Sequence, residues 1–148
     1  MSHLTDTPQR YGAVSRALHW GMALLFLAQF ASALVHWVLE RGNALRDALW
    51  SYHADLGLTL LVLVLLRGAW GLANLGSRPG QSADLLGRAA SVGHGLLYLL
   101  MIAVPGVKLL AAAGGDRGLT YLGMQVVPPQ AVEIAWMQAP AALHGAMG

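Results

Sequence analysis

The chain contains no cysteine. That absence removes disulfides, iron–sulfur clusters, thiolate zinc sites and covalent haem attachment, which needs a C-x-x-C-H sequence. Charge is scarce as well. Asp, Glu, Lys and Arg make up 11% of the 148 residues, against roughly 25% in a soluble globular domain. There is no run of Lys or Arg and the formal net charge is only +2, so the electrostatic footprint of a nucleic-acid binder is lacking and no nucleic-acid partner is expected. No G-x-G-x-x-G follows a strand pattern, so no nicotinamide or flavin motif is present. Internal repeats and low-complexity tracts are missing too. What fills the chain instead is apolar: 56% of residues are hydrophobic and the mean hydropathy is +0.53. Length allows one domain, here a single transmembrane domain over 1–148, and composition puts it in the membrane class, with lipid as its solvent.

Crossing the ~30 Å hydrocarbon core takes about 20 helical residues. Residues 18–39 fit a first span, with Ser15 and Arg16 at its start and a polar N-terminal tail, 1–14, before it. The span is too long for a signal-peptide core and has no small-residue cleavage site, so the N-terminus is not read as a cleavable signal. Glu40, Arg41, Asn43, Arg46 and Asp47 mark residues 40–51 as an external loop. Residues 53–73 form the second span, almost wholly aliphatic at its centre. Pro79, Gly76 and Gly80 make 74–85 a loop. Residues 89–113 form the third span, with Pro105 a kink that membrane helices tolerate. Residues 114–138 read as a long amphipathic connection containing Pro128 and Pro129. Residues 139–148 open a fourth helix, with Pro140 in its first turn. The fold class is therefore an all-α membrane protein, a helical bundle with three full spans and the start of a fourth.

Histidines carry the chemistry. Alternating spans send His19 and His94 toward one surface, face A, and His53 and His144 toward the other, face B. An ionisable side chain inside a membrane helix is costly and usually functional. Neutral imidazole offers a metal one nitrogen lone pair while a partner fixes the other N–H. Two stacked haems would need ligands at these two depths, and His19, His53 and His144 are the expected metal ligands. His94 either supplies a further ligand, or faces a haem propionate, or bonds another helix. Gly57, one turn after His53, leaves room for a flat macrocycle or for ordinary helix packing. Arg16 and Arg67, both near face A, suit anionic propionates, or simply cap the spans. His36 is expected to snorkel toward water beside Trp37, and His3 sits in the tail. Trp20, Trp37, Trp50, Trp70 and Tyr52 lie near span ends as interfacial anchors.

These residues resemble a known family. Tyr11 with Ser15-Arg16-x-x-His19-Trp20 is similar to the start of bacterial cytochrome b561. So is His53-x-x-x-Gly57 followed by aliphatic residues and Leu66-Arg67-x-x-Trp70. His94-x-x-x-Tyr98-x-x-Met101-x-x-x-Pro105-Gly106 resembles the family's third helix, and Leu122-Gly123 through Pro128-Pro129 its connection. The resemblance covers nearly all of residues 10–148, in order. It implies a four-helix bundle holding two b-type haems, each between two histidines, with no catalytic residue beyond the haem sites. Carried over, His19 would ligate the face A haem, and His53 with His144 the face B haem. The family's fourth helix brings a further histidine back toward face A. The chain ends before that position, so it reads as a truncated product or fragment holding one haem unless His94 stands in.

The resemblance further implies electron transfer between a quinone pool or small reductant and an acceptor, in the manner of a quinone-linked oxidoreductase. Two alternatives stand beside it. One is a haem-bearing anchor subunit for a dehydrogenase or hydrogenase, with a homodimer or partner subunit. The other is a non-haem membrane scaffold. Arg10, Arg16, Arg67, Arg78 and Arg88 fall on face A, and Arg41, Arg46, Lys108 and Arg117 on face B. That small excess favours the N-terminus in the cytoplasm, and the resemblance implies a bacterial inner membrane.

Overall fold

The computed structural model describes residues 4–80, 82 and 84–147; His3 lies outside them. Among the described residues, six helices and one hairpin follow in order: α1 (Ala13–Val38), α2 (Ala44–Ser51), α3 (His53–Ala73), α4 (Leu85–Ala113), β1 (Leu119–Tyr121), β2 (Met124–Val127), α5 (Ala135–Gln138) and α6 (Ala141–Met147). Three stretches are long and apolar enough to cross a membrane: α1, α2 running into α3, and α4. The chain is an all-α membrane protein with little sheet, as expected.

The bundle is turned inside out relative to a soluble protein. α3 is its centre and packs on both α1 and α4. Its Leu60, Leu61 and Val64, with Met22 of α1, make up most of the small buried core. Leu24, Leu27, Leu66 and Leu99 stay outside, where hydrocarbon solvates them as well as a core would.

Side-chain contacts fix the depth of each helix. Early α1 meets late α3: Trp70 Nε1 donates to Ser15 Oγ at 2.9 Å. Late α1 meets early α3: His53 Nδ1 lies 2.8 Å from Ser32 Oγ. The spans therefore alternate up and down, and the two expected histidine levels exist.

Several boundaries differ from the sequence reading, each for a local reason. α1 begins at Ala13, five residues early, and the polar segment before it folds back rather than trailing. Asp6, only 3% exposed, accepts from Gly12 N at 2.8 Å and pairs with Arg78 at 3.6 Å. Gly12 is required there, since a Cβ would collide with the backbone of Leu4 and Thr5. The 40–51 loop contains α2, started by Asn43, whose side chain accepts from Leu45 N and Arg46 N at 3.0 and 3.3 Å. Capping of this kind satisfies helix donors that otherwise lack a partner. α4 starts at Leu85, four residues early, because Asp84 accepts from Gly87 N at 2.8 Å.

The connection after α4 carries the β1–β2 hairpin, whose turn residues Leu122 and Gly123 have φ of +48° and +80°. Two successive positive φ values are what a tight two-residue hairpin requires. Leu122 holds this strained conformation with its N–H on Asp55 Oδ1 at 3.1 Å. Thr59 Oγ1 donates to Asp55 O, so Tyr121 OH donates to Thr59 Oγ1 at 3.0 Å. The hairpin is thereby pinned to the start of α3.

The last carbonyls of α4 find partners in the returning chain: Gln138 Nε2 donates to Ala111 O at 2.8 Å and Gln130 Nε2 to Ala113 O at 3.0 Å. Helix C-termini leave such carbonyls without internal donors. Satisfying them turns the chain back, and α6 packs along α4. That return brings His144 to face B.

Candidate functional site

At face B the two expected histidines meet. The rings of His53 and His144 lie 6.2 Å apart, centre to centre, at 82° to one another. Two imidazoles sharing one metal at ~2 Å from each nitrogen have ring centres roughly 6 Å apart. Both belong to the wall of one cleft of about 690 Å³, with Gly57, Lys108 and Arg117 also on its lining. Ligand sites run to roughly 300–1,000 Å³.

Hydrogen bonds decide which nitrogen each ring offers. Val104 O can only accept, so His144 Nδ1–H donates to it at 2.8 Å, and Nε2 keeps the lone pair. Ser32 spends its single proton on Gln29 O at 2.7 Å. Ser32 Oγ therefore accepts from His53 Nδ1–H at 2.8 Å, and again Nε2 keeps the lone pair. The Gln29 amide donates to that Nε2 at 3.1 Å and to His53 O at 3.2 Å. Its own Oε1 is buried without a partner. Gly57 lies beneath the amide, and a Cβ there would sit 3.2 Å from Gln29 Nε2.

Beyond His53 the rings continue. Trp50 stacks on His53 at 4.5 Å and on His36 at 3.6 Å. Arg46 Nη2 donates to His36 Nε2, and Arg46 Nε to His36 O, both at 3.2 Å. His36 is thus packed rather than snorkelling; its neighbour Trp37 is the side chain left out, at 84% exposed.

Face A is built differently. Arg67 Nη1 donates to Tyr98 OH at 2.9 Å and Arg67 Nη2 to His19 Nδ1 at 3.4 Å. His19 thus has its lone pair on Nδ1, opposite to His53 and His144. Its side chain is exposed. His94 is exposed as well, and its Nδ1–H donates to Ala90 O of its own helix at 2.7 Å. Among the described residues, no hydrogen bond or ring contact joins His94 to His19. Arg16 is exposed, and its guanidinium enters no hydrogen bond or ion pair among the described residues.

The model of the prokaryotic cytochrome b561 family matches residues 10–148. The chain belongs to the prokaryotic cytochrome b561 family. It is 29% identical over 125 residues to cytochrome b561 homolog 2 of Escherichia coli (strain K12), an alignment covering 84% of this chain and 66% of that protein. The chain thus spans just under two thirds of that cytochrome b561 relative.

Sequence reasoning named His53, His144 and Gly57, read Trp50 as an interfacial anchor, and passed over Gln29 and Ser32. A signal existed for both. Gln29 and Ser32 are polar residues three apart inside an apolar span, where a polar side chain must find a partner.

Proposed function

We propose that this chain is an electron-carrying b-type cytochrome of the bacterial inner membrane, with His53 and His144 as the two residues that would hold a haem at face B. The observation that carries the reading is the pair itself. Two imidazoles from different helices have ring centres 6.2 Å apart, edge-on at 82°, each with its Nδ1–H already spent. When bound, haem b would supply a one-electron iron couple, and the two histidines that would hold it leave no site for oxygen, which favours electron transfer.

The residues divide the remaining work. Ser32 and Val104 hold the ring orientations. Gly57 keeps the floor of the cleft flat beside His53. Lys108 offers the cleft a cation for a carboxylate, while Arg117, on the same lining, pairs with Asp116 at 3.8 Å. At face A, His19 would ligate a second haem only once Arg67 releases its Nδ1, which would free that guanidinium, with Arg16, for the propionates. A quinol or small reductant serves as donor. The arginine excess on face A supports a cytoplasmic N-terminus.

Membranes from cells expressing the chain with ample haem test this directly. A b-type band in the reduced-minus-oxidised spectrum is expected. Correctly inserted but colourless protein would overturn it and favour the scaffold alternative.

A further inference from the structure

The Gln29 carboxamide sits on the one atom of His53 that a metal needs. Its amide donates to His53 Nε2 at 3.1 Å, while Ser32, one turn along the same face of α1, holds Nδ1. A lone pair that accepts a hydrogen bond cannot also bind iron. Gln29 and iron therefore compete for it.

The second amide proton goes to His53 O at 3.2 Å, which registers the side chain on His53 while it stays. Two further observations fit a side chain built to leave. Gln29 Oε1 is buried and unpartnered, and such a group destabilises the position that strands it. Gly57 lies under the amide with no side chain to wedge it in place.

We propose that Gln29 is a positioning residue for His53: it guards the Nε2 lone pair and presents the ring in the ligating tautomer, then withdraws as iron takes its place. The inference rests on His53 being a ligand. Guarding has a chemical purpose, since an exposed imidazole lone pair at the membrane surface would take up adventitious metal ions or a proton.

Haem-free protein in detergent, mixed rapidly with ferric haem, tests the idea. Gln29→Met keeps the side-chain length and removes both donors. The rate of the Soret rise should increase about thirty-fold, the equivalent of two lost hydrogen bonds of ordinary strength, with the final spectrum unchanged. Gln29→Asn retains the amide but falls short of Nε2, and should load as fast as the Met variant. The histidine 15N spectrum of the haem-free protein gives a second readout: Nε2 of His53 should shift on Gln29→Met while Nδ1 stays protonated. If loading rate and Nε2 resonance both match the wild type, the guarding role is wrong. If His53→Ala loads the same haem unchanged, the ligand assignment fails instead, so the two failures are distinguishable.

Discussion

Face B and face A each present a histidine at the start of a span, yet only one presents it to a partner histidine. At face B, His53 meets His144, and acceptor oxygens take both Nδ1 protons. At face A, His19 meets Arg67, a donor, which draws the lone pair to Nδ1 instead. The same side chain at equivalent depth is therefore set up for different work by one hydrogen-bond partner. An oxygen behind the ring readies the far nitrogen for a metal, whereas a guanidinium beside it does the reverse. Position in a membrane helix makes a histidine conspicuous, but its neighbour decides what it can bind.

Breaking the oxygen contact behind His53 should have the largest effect on this contrast. Ser32→Ala should weaken haem retention at face B by about 10–100-fold, the usual cost of losing such an outer partner. Ser32→Thr, which keeps the hydroxyl, should restore most of it. Haem titration of the two variants measures both.

The clasp at face A should separate stability from haem binding. Trp70, Ser15, Asp6 and Arg78 link α3, α1 and the N-terminal turn. Asp6→Ala leaves those donors without a buried acceptor and should lower stability by about 1–3 kcal/mol, read from thermal unfolding, with the face B spectrum unchanged. Burial by itself would raise the Asp6 carboxyl's pKa; hydrogen bonds from Ser15 and Gly12 and the charge of Arg78 outweigh it, and the pKa falls below its ordinary 3.8. A group with a depressed folded pKa lends stability above its unfolded value and loses it as pH falls through the folded one. The clasp should therefore hold across neutral and mildly acidic pH and open only below about 3.8. The acid unfolding curve of wild type against Asp6→Asn would check this.

The smallest effects are expected at the other histidines. His19→Ala should leave the face B band in place, and His36→Ala should leave the whole spectrum unchanged, since His36 is occupied by Arg46 and Trp50. Loss of the face B band in either variant would mean that the two levels are not independent.

The spans and the depth of their histidines were legible because both follow from one-dimensional rules: apolar length, and alternation of direction. Pairing of His53 with His144 followed from depth together with the family resemblance. The rest depended on contacts far apart in the chain. Nothing near Asp6 announces Arg78, and nothing near His144 announces Val104. Local signals were also present and weak: Asn43 ahead of an amphipathic turn for α2, and Leu122-Gly123 between short alternating runs for the hairpin. Gln29 and Ser32 were the clearest missed clue, being polar groups whose only reason to sit in an apolar span is a partner.

Ligand rescue tests the central claim most directly. His53→Ala and His144→Ala, each purified and supplied with haem, should both lose the same b-type band, and free imidazole should restore it in both by filling the vacated side of the iron. A band that survives either substitution without imidazole would show that these two rings do not share one metal.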